Sequence, residues 1–255
     1  MERDSKVGEK YKFFWQPGCT SCMRTKEFLK KHGIDYISVD VHNDPTGVDQ
    51  LRELGIRSIP ALSLGKKYTL CQSFGDVTKF LGINVDSKML PPDELVSKLS
   101  VVIETAVRLS AQFTEAQLQE TFRDRRRTAR DTVFHALRVA EIGVQAAQQI
   151  ELTAEALLEV APSGWGSTEL AKYGAEVAKK LQQWWGSEAD RELTYTAPTY
   201  YGRRSMHDVL ERTTYHSAQH TRQVALMLET YGTQPARPLT TDTLKGLPVP
   251  EEVWS

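Results

Sequence analysis

The sequence predicts two folds in tandem, a small α/β unit followed by an all-α bundle. Three observations lead to this. Up to about Asn84, short β-rich runs alternate with short amphipathic stretches and glycine-marked turns, whereas from Pro91 onward apolar residues recur at helical spacing over four long stretches. Cys19-Thr20-Ser21-Cys22 sits at a strand–turn–helix junction of the first part. His216 and His220 stand one helical turn apart in the last of the long stretches.

At 255 residues the chain exceeds the usual single domain, and 40% hydrophobic with 25% charged residues is enough for each part to bury a core. The net charge of -1 gives no basic surplus to recruit nucleic acid or an anionic membrane surface. The charged start, Met1 to Lys6, has no signal-peptide core behind it, and no apolar run approaches the ~18 residues of a membrane span. Neither nucleic acid nor membrane is therefore an expected partner, and the cytoplasm is the expected location. Three cysteines do not make a disulfide framework, but Cys19 and Cys22 have the spacing of a redox pair.

The elements follow in order. Tyr11–Trp15 is a short aromatic strand, Gln16-Pro17-Gly18 a turn, and Cys22–Lys31 a helix closed by His32-Gly33. Ile34–Val41 alternates as a second strand, and Val48–Leu54 is a short helix ending at Gly55. After Ser58-Ile59-Pro60 come a strand Ala61–Leu64, a turn at Gly65-Lys66-Lys67, a strand Tyr68–Gln72 and a helix Asp76–Leu81. This order, with the Cys pair opening the first helix, is thioredoxin-like. Unpaired N–H groups and the dipole at that helix start favour a thiolate on Cys19, and Cys22 lies one turn along to resolve a mixed disulfide. A bare Cys-x-x-Cys is otherwise half of a zinc site, and the chain has no second pair to complete one. Cys71 reads as a small buried residue.

Residues 1–84 resemble a glutaredoxin. The resemblance rests on Pro17-Gly18-Cys19-Thr20-Ser21-Cys22, on Arg24 to Leu29 behind it, and on Arg57-Ser58-Ile59-Pro60 where the family has its cis-proline loop. It implies catalytic roles for Cys19 and Cys22, a thiol-binding loop at Ser58, Ile59 and Pro60, and glutathione or another low-molecular-weight thiol as partner. The chain departs from the family at Gln16, at Thr20-Ser21 and at Leu70-Cys71-Gln72, positions with which glutaredoxins hold glutathione.

Residues 85–90 read as a linker, and Pro91-Pro92-Asp93-Glu94 starts the helical part, which runs to residue 255. Helices are expected over Asp93–Gln112, Arg126–Ile150, Ser167–Trp185 and Arg204–Tyr231, enough for a four-helix bundle. The long Gly186–Gly202 connection would cross the bundle or cover its mouth. On the last helix His216 and His220 share an arc with Val209, Leu210, Thr213, Val224 and Leu228, and on the second His135 shares one with Thr132, Val139 and Ile142. All three face the core, whereas His32, His42 and His207 read as surface residues. A buried imidazole on its own is best explained by a carbonyl partner. Three converging from two helices suit a metal ion with an open coordination position.

This second part resembles the DinB-like bundles, a family that includes thiol-dependent S-transferases and an isomerase. The match lies in Thr132-Val133-Phe134-His135, in Tyr215-His216 through His220-Thr221-Arg222-Gln223, and in the tail Gly246 to Pro250. It implies that His135, His216 and His220 bind a divalent metal, zinc first, with nickel, manganese or iron as alternatives. Arg126, Arg127 and Arg130, from the one dense basic run, and Gln223 are candidates for holding a carboxylate of substrate or thiol. The expected function is a metal- and thiol-dependent transferase or isomerase acting on a small electrophile, with the redox domain exchanging thiols and disulfides. The alternatives are a thiol–disulfide oxidoreductase with a structural or metal-sensing bundle, and a redox-regulated metal-dependent hydrolase. A homodimer is compatible with the sequence.

Overall fold

The computed structural model describes residues 9–85, 88–123, 125 and 127–254. These divide into two compact units, residues 9–85 with 254 and residues 88–253.

In the first unit the order is β1 (Tyr11–Trp15), α1 (Thr20–Lys31), β2 (Tyr36–Asp40), α2 (Gly47–Glu53), β3 (Ala61–Leu64), β4 (Lys67–Leu70) and α3 (Phe74–Leu81). The sheet runs β2-β1-β3-β4, with β1 parallel to β2 and the other pairs antiparallel. A parallel neighbour requires a crossover, and α1 supplies it. This is a thioredoxin-like sheet. Its two faces are separated by the period-2 alternation of Phe13 and Phe14. Phe13 packs with Cys22, Phe28, Leu29, Leu62, Cys71 and Val77, and Phe14 with Val39, Leu51, Ile56 and Ala61. β2 is shorter than the Ile34–Val41 run suggests, because the Ile34 amide donates to Leu29 O and closes α1 after left-handed Gly33. Lys67 pairs with Leu64, so the hairpin turn is only Gly65-Lys66.

In the second unit the long helices are α4 (Pro92–Ser110), α6 (Ala129–Ala147), α7 (Ser167–Ser187) and α8 (Met206–Thr230), with a short α5 (Glu115–Gln119), a two-stranded ribbon of β5 (Thr196–Ala197) and β6 (Arg204–Ser205), and a final turn of helix α9 (Thr241–Leu244). α4 packs against α6, α7 and α8, and α6 against α7 and α8. Leu95, Leu99, Ile103, Leu109, Leu137 and Tyr215 are among their fully buried side chains. Among the described residues no helix is long and apolar enough to cross a membrane.

Several features of this second unit differ from what the sequence predicts. α6 begins at Ala129 and not at Arg126, because the Thr128 hydroxyl accepts the Asp131 amide and caps the helix there. Arg125 and Arg127 of the basic run therefore precede the helix, which leaves the acidic Asp131 in the first turn to suit the dipole. α5 is an additional helix, although Thr114 and Gln117 form a reciprocal capping box that its Thr-x-x-Gln spacing encodes. The connection after α7 folds back as the β5–β6 ribbon and is tied to the segment after α6 through Leu152 N to Pro198 O (3.1 Å) and Tyr200 N to Leu152 O (2.9 Å).

Candidate functional site

The first unit presents the cysteine pair at the start of α1. Cys19 is the N-cap, its Sγ accepting the Cys22 amide at 3.3 Å, and the two sulfurs form a disulfide. Cys19 is half-buried and Cys22 fully buried, so the N-terminal sulfur is the one open to attack. Ile59, in a cis peptide bond with Pro60, and Cys19 pack against the same core. Ser58 turns its hydroxyl towards Ile59 O at 3.5 Å.

Gln72, which the sequence marks only as a departure from the glutaredoxin pattern, joins these parts. Its Nε2 donates to Ile59 O at 3.1 Å, its Oε1 accepts from Ser21 Oγ at 3.4 Å, and its backbone carbonyl accepts from Arg24 Nη2 at 3.1 Å. It stands just past β4, which ends at Leu70 and not at Gln72 as the sequence suggests. Cys71 beside it is fully buried, and that burial pushes its thiol far above the usual cysteine range, against the opposing charge of Arg24. It is a packing residue.

In the second unit α6 brings His135 and α8 brings His216 and His220 to one point. The three are 4%, 8% and 3% exposed. Their ring centroids lie 5.4 Å (His135–His216), 4.5 Å (His135–His220) and 5.0 Å (His216–His220) apart, and one ring nitrogen from each can be chosen so that all three lie within 4.8 Å of one another. The two helices approach closely here. A Cβ on Gly143 of α6 would collide with the Thr213 side chain of α8, and Ser217 Oγ donates to Ala136 O at 2.7 Å across the same contact.

The electrostatics suit metal ligands. His135 and His220 are held well below the ordinary histidine range, chiefly by burial and next by the charge of Arg127, with Arg125 adding to both and the neighbouring imidazoles to His135. Neutral imidazoles keep a lone pair for a metal ion. His135 Nδ1 is buried with no hydrogen-bond partner among the described residues, while His220 Nδ1 lies 2.7 Å from Gln223 Oε1 and its Nε2 lies 3.1 Å from His216 Nε2. A buried imidazole nitrogen without a partner is costly, and the donor set of three imidazoles fits a divalent first-row ion.

The basic residues separate. Arg127 is half-buried near His135 and His220, and burial followed by the like charge of Arg125 lowers it to about 10, with Asp131 opposing. Arg130 turns to Asp131 (Nε to Oδ1, 3.4 Å), whose Oδ1 also accepts the Ala161 amide. Arg126 lies outside the described residues. Gln223 uses both ends of its amide, on His220 and on Val253 O. Its i, i+3 spacing from His220 is the sequence signal for that contact. Of the remaining histidines, His42 is exposed and His32 lies half-buried against Phe28. His207, expected on the surface, is half-buried with Nε2 2.7 Å from Leu90 O.

No curated protein matches the chain. Residues 11–69 match the family model described as Glutaredoxin, and with the thioredoxin-like sheet this makes the N-terminal unit a glutaredoxin domain, which supports thiol–disulfide oxidoreductase activity.

Proposed function

We propose that the chain joins a glutaredoxin domain over residues 1–84 to a DinB-like metal-binding bundle over residues 91–255, and that it acts as a metal- and low-molecular-weight-thiol-dependent transferase or isomerase on a small electrophile. The observation that carries the reading is the convergence of three buried imidazoles from two helices, with nitrogens within 4.8 Å. Among the described residues no other group of three His, Cys, Asp or Glu side chains has this property.

His135, His216 and His220 would hold the ion, zinc first among the divalent first-row metals. When bound, such an ion favours the ionised form of a thiol at neutral pH and so supplies a nucleophile. The chain's own residues do the rest. Gln223 orients His220, and the burial of the three rings favours their neutral, ligating form. Arg127, with Arg125 beside it, offers a cationic face for a carboxylate of thiol or substrate.

In the N-terminal domain the Cys19 thiolate attacks a mixed disulfide of the low-molecular-weight thiol. It displaces one partner as a thiolate and becomes disulfide-linked to the other. The Cys22 thiolate then attacks Cys19 Sγ and releases that second partner as a thiolate, which leaves the Cys19–Cys22 disulfide. Two electrons have passed to the bound pair, and a dithiol or thiol reductant must restore them. Ser58, Ile59 and Pro60 would hold the thiol's backbone-like part beside Cys19.

A second reading, favoured by the family match over residues 11–69, keeps only the thiol–disulfide chemistry and makes the helical unit a structural or metal-sensing module. A screen of thiols against small electrophiles with the metal-loaded chain separates the two. Turnover that is lost in His216→Ala supports the transferase or isomerase, and reductase activity alone, unchanged in His216→Ala, supports the second reading.

A further inference from the structure

The segment beyond α9 ends on α8, held there by its backbone carbonyls. Arg222 donates from Nη1 to Pro250 O at 2.6 Å and from Nη2 to Glu251 O at 2.9 Å, Gln219 Nε2 donates to Glu252 O and Val253 O at 3.0 Å each, and Gln223 Nε2 donates to Val253 O at 3.2 Å. Residues 219, 222 and 223 share one helix face, and Gln219 and Gln223 are 0% and 1% exposed. Four successive carbonyls of the tail are thus taken up by three side chains of the helix that bears His216 and His220.

A primary amide has one donor end and one acceptor end, and the tail decides which end points where. If Gln223 were flipped, its Oε1 would face the Val253 carbonyl oxygen, two acceptors with no proton between them. The Val253 carbonyl therefore fixes Nε2 towards the tail and Oε1 towards His220, at 2.7 Å from Nδ1. An acceptor at that position requires the proton on Nδ1, which puts the lone pair of His220 on Nε2, the nitrogen 3.1 Å from His216 Nε2. The opposite flip would demand a lone pair on Nδ1 and a proton on Nε2, the tautomer that cannot ligate through Nε2.

We infer that Gln223 is a positioning residue that selects the ligating tautomer of His220, and that tail residues 250–253 hold Gln223 in the orientation that does so. This rests on the metal reading above. The tail is then part of the metal centre's support, although none of its side chains needs to touch the ion.

Zinc alone, titrated into the full-length chain against a chromogenic chelator, tests it, with circular dichroism to establish folding. Gln223→Ala should weaken zinc binding by about 10- to 100-fold. Gln223→Glu, which offers His220 Nδ1 an acceptor from either carboxylate oxygen but gives up the donor to Val253 O, should recover part of the loss, a rescue that a role in holding the tail alone would not give. The pair Arg222→Ala and Gln219→Ala, which loosens the tail without touching a histidine, should shift affinity in the same direction by less. Should Gln223→Ala fail to fold, Gln223→Met, which keeps the length of the side chain but offers His220 Nδ1 no acceptor, carries the test in its place, with weakened zinc binding expected and wild-type affinity overturning the role of Gln223. Wild-type zinc affinity in folded Gln223→Ala overturns the role of Gln223, and wild-type affinity in the folded tail pair overturns the role of the tail. Loss of zinc in His220→Ala alongside either result leaves the metal reading standing while this inference fails. A wild-type chain that binds no zinc overturns both.

Discussion

The rings of His135 and His220 meet almost perpendicularly, with centroids 4.5 Å apart and an interplanar angle of 86°, although they come from different helices. Their approach depends on a residue with no chemistry of its own. Gly143 lies two turns beyond His135 on α6, and a Cβ there would run into Thr213, which lies one turn before His216 on α8.

Gly143→Ala should therefore force α6 and α8 apart. Overpacking of this kind costs about 1–3 kcal/mol, and the separation should also lower metal retention. Thr213→Ala in the same chain removes the colliding methyl and hydroxyl and should restore much of both. Thermal unfolding and metal content, measured on the single and double variants, check this. Equal loss in both would mean that the Thr213 side chain is not what the glycine makes room for, and wild-type behaviour of Gly143→Ala would mean that the glycine is not required for the approach.

The cysteines should separate by pH. In the reduced chain Cys19, half-buried at the start of α1 with the Cys22 amide aimed at its sulfur, should be alkylated at mildly acidic pH, well before Cys22. Cys71 should stay unlabelled well into the alkaline range, because burial holds its thiol protonated. The sign for stability follows. The unfolded chain loses the Cys71 proton near the ordinary value of about 8.5 while the folded chain keeps it, so the N-terminal unit should lose stability as pH rises above that value, and Cys71→Ala should lessen the dependence. Mass-spectrometric mapping of alkylated cysteines and denaturant unfolding across pH measure both. Equal labelling of the three cysteines would contradict the assignment of Cys19.

Much of this site can be read from the chain because it follows helical periodicity. The i, i+4 spacing of His216 and His220, and the arc shared by His135 with Val139 and Ile142, depend only on 3.6 residues per turn. The same holds for the N-terminal unit, where Phe13 and Phe14 sort onto opposite sheet faces by period 2 alone. What the sequence hides depends on tertiary contacts or on single hydrogen bonds. The basic run suggests a helix from Arg126 because arginine is a good helix former, yet the Thr128 hydroxyl sets the start three residues later. The β5–β6 ribbon consists of two residues a side and leaves too short an alternation to detect. Gln223 reads as a ligand for a carboxylate because nothing in the sequence shows that Val253 returns to meet it.

If the two units share one catalytic cycle, their variants should fail differently. Cys19→Ser should leave the first turnover at the metal site intact and reduce sustained turnover, while His216→Ala should abolish both. Single-turnover and steady-state rates on the same preparations make the comparison. A Cys19→Ser chain with undiminished sustained turnover would show that the thiol chemistry of the N-terminal domain is separate from the reaction of the helical unit.

The most direct measurement is metal content. Purified full-length chain, loaded with zinc and dialysed, should retain about one divalent ion per chain by elemental analysis, and His135→Ala, His216→Ala and His220→Ala should each retain almost none while remaining helical. A full equivalent of metal in folded His220→Ala would contradict the three-histidine centre.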